Sequence, residues 1–365
     1  MGQVIKNSCV TVFLNRMCLR SCVYCNVVDS NLDKRRMYTN LWKDAFSILE
    51  KEGVKFFLLI GTEPLLMRSG LVDLVKFWKE RDYEYGLYTT APKGLVEELS
   101  PKLIEAGLRN WSSGIDFIPE VYSAFMSRTL LSRRCIDLVE KEKDGLVRKA
   151  IDGLDGMRIM VESSVEELLT LITISRMNIE MVPEMISWIV KELGRKVHIG
   201  FNYIEVSRGD DMDFAKSSKE CDDYLFHPED KPIFDKFIQK MKDLPEKIQL
   251  RIQIPLDYLE NWDRVVNMDY PASEEFCVMS IECDGILRKC GYGKGKHVCG
   301  YTVFDIPEWG AEIRRAWEKD IKECEGCYWA FPYLLRKRGG QSVDFRSDWW
   351  KDRDKKWRNI RCVVS

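Results

Sequence analysis

Three cysteines lie close together near the start of the chain: Cys18, Cys22 and Cys25. Cysteine thiolates bind iron–sulfur clusters and zinc ions in proteins. A four-iron cluster normally takes four thiolates, so three from one loop leave one iron open to another molecule. Structural zinc loops usually carry cysteines in pairs two residues apart. The spacing therefore favours a reactive cluster. The alternatives are a zinc site completed by a distant ligand, and thiols that only fill the core.

A second motif, Gly61-Thr62-Glu63-Pro64, follows a continuous apolar run at residues 55–60. The run has the length of a buried strand, and parallel α/β folds place functional residues where such strands end. A glycine lets the backbone approach a ligand closely, and the carboxylate of Glu63 offers a negative charge to an ammonium group. This turn therefore predicts part of a binding site.

Together the two motifs resemble the radical SAM superfamily. Its loop signature has an aromatic residue before the third cysteine, here Tyr24, and its Gly-Gly-Glu-Pro motif holds the amino group of S-adenosylmethionine (SAM). Thr62 replaces the second glycine. The resemblance implies that the cysteine triplet binds a [4Fe-4S] cluster and that Tyr24, Gly61, Thr62 and Glu63 contribute to the SAM site. It also implies a 5′-deoxyadenosyl radical that takes hydrogen from an unactivated carbon, and a low-potential electron donor such as ferredoxin or flavodoxin.

Two later strand ends carry polar residues. The run at 112–116 resembles the strand that touches the SAM ribose or carboxylate in the superfamily, which makes Ser113 a candidate contact. After the fifth strand, Ser175 and Arg176 could bind a carboxylate through a hydroxyl and a guanidinium. Polar residues also cap strand ends for structural reasons, which is the alternative. Asp116 and Glu205 are candidate acids by position alone, and no catalytic residue is identified.

Strand and helix patterns alternate along residues 10–204, in about six units. Such alternation predicts an α/β fold with a parallel sheet, either doubly wound or a barrel. The resemblance implies an open, TIM-like (β/α)6 partial barrel with the cluster at the carboxyl edge of the strands. Local signals predict a helix capped by Thr39 or Asn40, a helix capped by Ser100 with Pro101 at its first position, and irregular chain at 127–154. Further helices are predicted at 233–242 and 256–265.

Six of the thirteen cysteines fall between residues 277 and 327. One pair flanks Asp284-Gly285, a hairpin signal, and another pair lies across a single turn. Four such thiolates can hold a cluster or a zinc ion. The arrangement is similar to the Twitch and SPASM extensions of radical SAM enzymes, which implies a small α+β domain with an auxiliary [4Fe-4S] cluster. The expected ligands are Cys277, Cys290, Cys324 and Cys327, with Cys283 and Cys299 as further candidates.

The composition is that of a globular protein, with a formal net charge of −2 and 45% hydrophobic residues. No apolar run approaches the roughly 20 residues of a membrane span, and the first residues lack a signal-peptide core. Thirteen cysteines without an export signal indicate reduced thiols that serve as metal ligands, so we expect a cytoplasmic protein. The segment 336–361 has ten basic and four acidic residues. We interpret it as a solvated surface in preference to a nucleic-acid site.

These patterns divide the chain into a radical SAM barrel at 1–206, a bridge at 207–270, an auxiliary-cluster domain at 271–330 and a basic, aromatic tail at 331–365. The short segment before Cys18 predicts that a leader peptide docks directly or through a separate partner. The predicted function is oxidation of a small molecule or peptide, by dehydrogenation or crosslinking, with the auxiliary cluster accepting the electron. A redox-neutral rearrangement or radical addition, and a non-catalytic metal-binding scaffold, are the alternatives.

Overall fold

The fold is known from a computed structural model, which describes residues 9–25, 37–54, 56–60, 62–194, 197–204, 218–254, 256–267, 279–288 and 297–322. Several predicted features lie outside these ranges. They are Gly61, Glu205, the auxiliary-cluster candidates Cys277, Cys290, Cys324 and Cys327, and the basic tail. The predicted domain boundaries therefore stay predictions.

Strands and helices alternate over residues 9–203, as the sequence predicts. In this part the elements are β1 (Cys9–Val12), α1 (Thr39–Lys51), β2 (Phe56–Leu59), α2 (Ser69–Glu80), β3 (Glu84–Thr89), α3 (Lys93–Ala106), β4 (Asn110–Gly114), α4 (Pro119–Ser127), α5 (Arg133–Val161), β5 (Glu167–Ile174), α6 (Val182–Glu192) and β6 (Val197–Tyr203).

Short helices and a hairpin follow. Their bounds are α7 (Ser218–Cys221), α8 (Lys231–Lys242), α9 (Glu246–Gln249), α10 (Leu256–Leu259), α11 (Trp262–Asn267), β7 (Ser280–Ile281), β8 (Ile286–Arg288), β9 (His297–Thr302) and α12 (Ile306–Lys322). The helix predicted at 256–265 is therefore two shorter helices. The helix predicted at 233–242 is confirmed as α8.

The described strands form one sheet in the order β6-β5-β4-β3-β2-β1-β7-β8-β9. Strands β1 to β6 are parallel and neighbour one another in chain order. A doubly wound sheet reverses its strand order at a switch point, whereas this order runs in one direction. The α/β fold with a parallel sheet is therefore confirmed, and the order is consistent with a partial barrel. β7 pairs with β1 in parallel, and the antiparallel β7–β8 hairpin turns at Gly285, as the Asp284-Gly285 signal predicts.

Helix α1 begins at Thr39, earlier than a cap at Thr39 or Asn40 would place its first residue. Tyr38 is its N-cap residue, and no side chain caps it. Thr39 and Asn40 are inside the first turn, so the predicted cap is wrong. Burial of Trp42, Phe46 and other apolar side chains against the sheet stabilises this end without a cap; most helical stability in proteins comes from such packing.

Helix α3 contradicts the predicted cap at Ser100. It begins at Lys93, directly after Pro92, so Ser100 and Pro101 lie inside it. An internal proline costs a helix about 3 kcal/mol because it removes a hydrogen bond. Here an apolar stripe that includes Leu95, Leu99 and Leu103 is buried on both sides of the proline, and this packing offsets the loss. The helix ends at Gly107, as predicted, with a φ of 103°.

Helix α5 is the largest departure from the sequence prediction. The segment predicted as irregular chain at 127–154 is mostly helical, and α5 spans 29 residues. Ser132 caps it by accepting a hydrogen bond from the backbone N–H of Cys135. Small and apolar residues at helical spacing form its buried face, between dense charges that obscured the pattern. The buried residues include Leu138, Val139, Leu146, Ala150, Gly153, Leu154, Met157 and Met160.

Candidate active site at the carboxyl edge of the parallel sheet

The cysteine loop leaves the carboxyl end of β1 and is joined at once to the turn after β2. The side-chain amide of Asn15 donates to the carbonyl oxygen of Glu63 (3.0 Å) and its oxygen accepts from the N–H of Met17 (2.8 Å). The N–H of Glu63 donates in return to the carbonyl oxygen of Met17 (2.9 Å). Because these bonds involve the backbone, they fix both predicted motifs at one edge of the sheet.

The three cysteines of the loop differ in exposure from the other thiols described. Cys18, Cys22 and Cys25 are partly exposed, and the N–H of Cys25 donates to the carbonyl oxygen of Cys22 across a turn (3.1 Å). Burial raises the pKa of the Cys18 thiol to about 11, so a bound metal would have to displace its proton. The remaining described thiols are buried, and they are Cys9, Cys135, Cys221 and Cys283.

The donor set fits an iron–sulfur cluster. Within the described ranges, no three side chains of cysteine, histidine, aspartate or glutamate converge as ligands of one metal ion. Three partly exposed thiols on one loop suit a cluster better, because its iron atoms stand apart and each takes its own thiolate. The residues that could hold it are those of the triplet, Cys18, Cys22 and Cys25.

The carboxylate of Glu63 is fully buried and accepts four hydrogen bonds. Oε1 accepts from the hydroxyl of Thr89 (2.6 Å) and the N–H of Leu65 (3.0 Å); Oε2 accepts from the N–H (2.8 Å) and hydroxyl (2.7 Å) of Thr90. Burial raises the pKa of Glu63, and these bonds oppose that rise. Four donors occupy the carboxylate, so the side chain shapes the turn. Thr62, beside it, is partly exposed.

Tyr24 connects the cysteine loop to the ends of β4 and β5. Its hydroxyl donates to Oδ2 of Asp116 (2.8 Å) and lies 3.2 Å from the hydroxyl oxygen of Thr173. Asp116 is 4% exposed, and its Oδ1 accepts from the N–H of Thr173 (2.7 Å). Every carboxylate oxygen of Asp116 is thus engaged. Asp116, a candidate acid by position, therefore has partners that give it a role in holding the loop.

Lys149 of α5 completes this group, and the sequence analysis missed it. Its Nζ lies 2.6 Å from Oδ2 of Asp116 and 3.1 Å from Sγ of Cys22, and stands over the Tyr24 ring, 5.8 Å from the centroid. Burial raises the pKa of Asp116, but Lys149 and the hydrogen bonds outweigh it, so the pKa is lowered. Only a helix prediction over 133–161 could have placed this lysine at the site.

Ser113 does not reach the group around Tyr24. Along β4 alternate residues face opposite sides of the sheet, and Ser113 shares the side of Trp111, which belongs to the core under the helices. The hydroxyl of Ser113 is buried and has no hydrogen-bond partner among the described residues. Its predicted contact with SAM therefore has no support from this geometry.

Ser175 and Arg176 stabilise the turn after β5 through contacts within the protein. The hydroxyl of Ser175 accepts from the N–H of Met177 (3.2 Å). The guanidinium of Arg176 forms ion pairs with Asp230 and, at 3.0 Å, with Glu229. Arg176 is 4% exposed, so its charge is already neutralised inside the protein. The structure places both residues at the correct edge but gives them structural partners.

A cavity of about 290 Å³ lies at the carboxyl end of β6. It is lined mostly by aromatic and aliphatic side chains, with Asp222 and His227 as polar members. The residue before Asp222 in the chain is Cys221, whose thiol approaches the carbonyl oxygen of Val23 in the cysteine loop, at 3.7 Å. The cavity therefore lies near the loop. Its apolar lining includes Tyr203, Ile204, Tyr224, Phe226, Val265 and Val266.

Comparison with known proteins agrees with this geometry. Residues 12–172 match the sequence model of the radical SAM superfamily. No curated protein matches the sequence. Among the described residues, no helix combines the length and apolar composition that crossing a membrane requires.

Solved structures of SuiB from Streptococcus suis share the fold. The structure bound to its precursor peptide SuiA is 12% identical, with a TM-score of 0.56, and the match covers 94% of this chain and 76% of that one. The structure bound to SAM is 12% identical, with a TM-score of 0.54 and coverages of 94% and 77%. A third SuiB structure is 11% identical, with a TM-score of 0.51 and coverages of 78% and 60%. In that last comparison the chain spans under two thirds of the SuiB chain.

The family implies a [4Fe-4S] cluster and SAM as cofactors. The matched region contains both sequence motifs and runs from β1 into β5. It includes the cysteine loop, the Glu63 turn, Asp116 and Lys149. Residues 12–172 are therefore a radical SAM domain, and this domain indicates that the protein is a radical SAM enzyme.

Proposed function

We propose that Cys18, Cys22 and Cys25 bind the [4Fe-4S] cluster and that SAM binds beside it, against the turn at 61–64. The observation that carries this proposal is the position of the triplet. It is partly exposed, lies at the carboxyl edge of a parallel sheet and is fixed there through Asn15 and Tyr24. Ligands of parallel α/β folds bind at this edge.

When bound, the cluster and SAM supply a 5′-deoxyadenosyl radical, which takes a hydrogen atom from the substrate. The chain's own residues position and shield this chemistry. Glu63 holds the turn in shape through four hydrogen bonds, and Tyr24 and Asp116 hold the loop against β4 and β5. Among the described residues of the turn, Thr62 is the one that is partly exposed and available for contact with SAM.

The substrate we propose is a peptide or a small molecule, and two observations favour a peptide. SuiB, which shares the fold, has been solved with its precursor peptide. The cavity beside the loop is lined by apolar and aromatic side chains around His227 and Asp222, which would suit an apolar side chain with one polar group. The reaction would be a dehydrogenation or a crosslink.

An auxiliary cluster on Cys277, Cys290, Cys324 and Cys327 would accept the electron that this oxidation releases. A low-potential donor such as ferredoxin or flavodoxin would reduce the first cluster. Iron analysis tests the auxiliary cluster, because two cubes require about eight irons per chain. We expect Cys324→Ala to lose about half of the iron and keep the capacity to cleave SAM.

The decisive experiment measures 5′-deoxyadenosine after anaerobic reconstitution, chemical reduction and addition of SAM. We expect the wild-type protein to form it and Cys22→Ala to form none. Cys135→Ala is the matched control, because Cys135 is a buried thiol whose Sγ contacts the carbonyl oxygen of Met177, away from the loop. Equal product from the Cys22→Ala variant and the wild type would refute the proposed cluster site.

A further inference from the structure

Helix α5 contacts the cysteine loop through charged groups at two places. Nη2 of Arg20 lies 2.6 Å from Oδ2 of Asp152, and Nζ of Lys149 lies 3.1 Å from Sγ of Cys22. The side chains of Arg20 and Lys149 are 9% and 13% exposed, so solvent screens these contacts less than surface pairs. Of these two contacts, only that of Lys149 places a positive charge beside a sulfur atom of the triplet.

The position of Lys149 Nζ is itself fixed. Oδ2 of Asp116 accepts from it at 2.6 Å, and Asp116 is held by the N–H of Thr173 and the hydroxyl of Tyr24. A lysine side chain is otherwise flexible and would avoid burial. Because these two groups hold its partner carboxylate, the ammonium group keeps one place, directly beside Cys22.

We infer that Lys149 is a positioning residue that sets the reduction potential of the cluster, by donating a charge-assisted hydrogen bond to the thiolate of Cys22. This inference rests on the proposed role of Cys22 as a ligand. Hydrogen bonds to the sulfur atoms and nearby charge are the means by which proteins tune such clusters. Reduction adds an electron, so a fixed cation stabilises the reduced form and raises the potential.

Asp116 has the opposite effect on the same site. Its carboxylate partly neutralises Lys149 and also places a negative charge near the loop. Removing one member of the pair should therefore shift the potential in one direction, and removing the other should shift it in the opposite direction. A general loosening of the loop would shift both variants the same way, which separates an electrostatic role from a purely structural one.

The test is a reductive titration of the reconstituted protein without SAM, followed by electron paramagnetic resonance. The signal of interest is the one that Cys22→Ala lacks. For Lys149→Met we expect the equilibrium constant for reduction to fall about tenfold, which is about 59 mV for a one-electron couple. For Asp116→Asn we expect a higher potential than in the wild type. The control is Lys141→Met, because Lys141 is an exposed lysine of α5 paired with Asp223.

The outcomes separate the inference from the proposed function. A wild-type protein that binds no cluster at Cys22 would overturn the proposed function. A normal cluster whose potential is unchanged in Lys149→Met, or shifts in the same direction in Lys149→Met and Asp116→Asn, would overturn only the role of Lys149. If Lys149→Met takes up no iron, Asp116→Asn still decides, because it keeps the lysine and must raise the potential.

Discussion

Helix α5 passes so close to the turn after β3 that a side chain at Gly156 would stand 2.6 Å from the carbonyl oxygen of Ala91. A methyl group there would also lie 2.8 Å from Cβ of Ala91. Such contacts are too short for carbon atoms, and one of them involves backbone that has few ways to move. The glycine therefore sets the distance at which α5, with Lys149 and Asp152, lies against the sheet.

We expect Gly156→Ala to lower the free energy of unfolding by about 1–3 kcal/mol, the usual cost of adding volume to a packed core. Because α5 would shift, iron uptake by the triplet should fall as well. Chemical denaturation and iron analysis measure the two effects.

Gly145→Ala is the matched variant for this prediction. Gly145 lies on the same helix, is exposed, and a Cβ there would meet nothing within 4 Å. Alanine favours helix over glycine by about 1 kcal/mol, so this variant should be slightly more stable. Equal losses in both variants would contradict the close-approach explanation.

We expect the main role of Glu63 to be holding the shape of its turn. In Glu63→Ala the donors on Thr89, Thr90 and Leu65 would lose their acceptor in a buried place, which costs about 1–3 kcal/mol for each group left unsatisfied. Because four donors are affected, we expect a loss of at least about 4 kcal/mol in the apoprotein, measured by chemical denaturation without any ligand. If apoprotein stability is unchanged while SAM binding is lost, the carboxylate contacts SAM directly and the loop-shaping role is wrong.

A buried carboxylate joins the hairpin to the start of the cysteine loop. Glu282 is 1% exposed, and its carboxylate lies 2.9 Å from Arg16 and 3.0 Å from Arg288. Removing one member of a buried ion pair costs about 3–5 kcal/mol, so Glu282→Gln should be strongly destabilised in denaturant titrations. In contrast, Glu98→Gln breaks an exposed pair with Arg68 and should cost less than about 1 kcal/mol.

A substitution of Arg176 distinguishes a structural role of this residue from a contact with SAM. Its ion pairs with Asp230 and Glu229 predict that Arg176→Met loses about 3 kcal/mol of stability. The same variant should bind SAM within twofold of the wild type, measured by equilibrium dialysis on folded protein. A tenfold weaker affinity at unchanged stability would restore the interpretation in which the guanidinium binds the SAM carboxylate.

Several features of this protein could be predicted from the sequence because their signals are local. The spacing of three thiols, an aromatic neighbour and an acidic turn after a strand indicated a radical SAM site. The apolar run at 55–60 predicted the bounds of β2 to within one residue. The hairpin at Gly285 was predictable for the same reason, since a two-residue signal determines it.

Helix α5 and its contacts could not be predicted from local sequence signals. Its apolar residues recur at helical spacing among dense charges, and the sheet beneath them is what makes that stripe a core face. The same is true of α3, where packing on both sides of Pro101 overrode the usual reading of a proline as a helix start.

The sequence by itself determined which atoms could bind a cluster and on which strands they lie. The tertiary structure decided what surrounds them. Lys149 and Cys22 are 127 residues apart in the chain and 3.1 Å apart in space, and Arg176, a candidate for SAM, is neutralised by Asp230, 54 residues away. The spacing of residues along a chain predicts which side chains lie close together only within one turn or strand. Ion pairs between elements depend on how those elements pack.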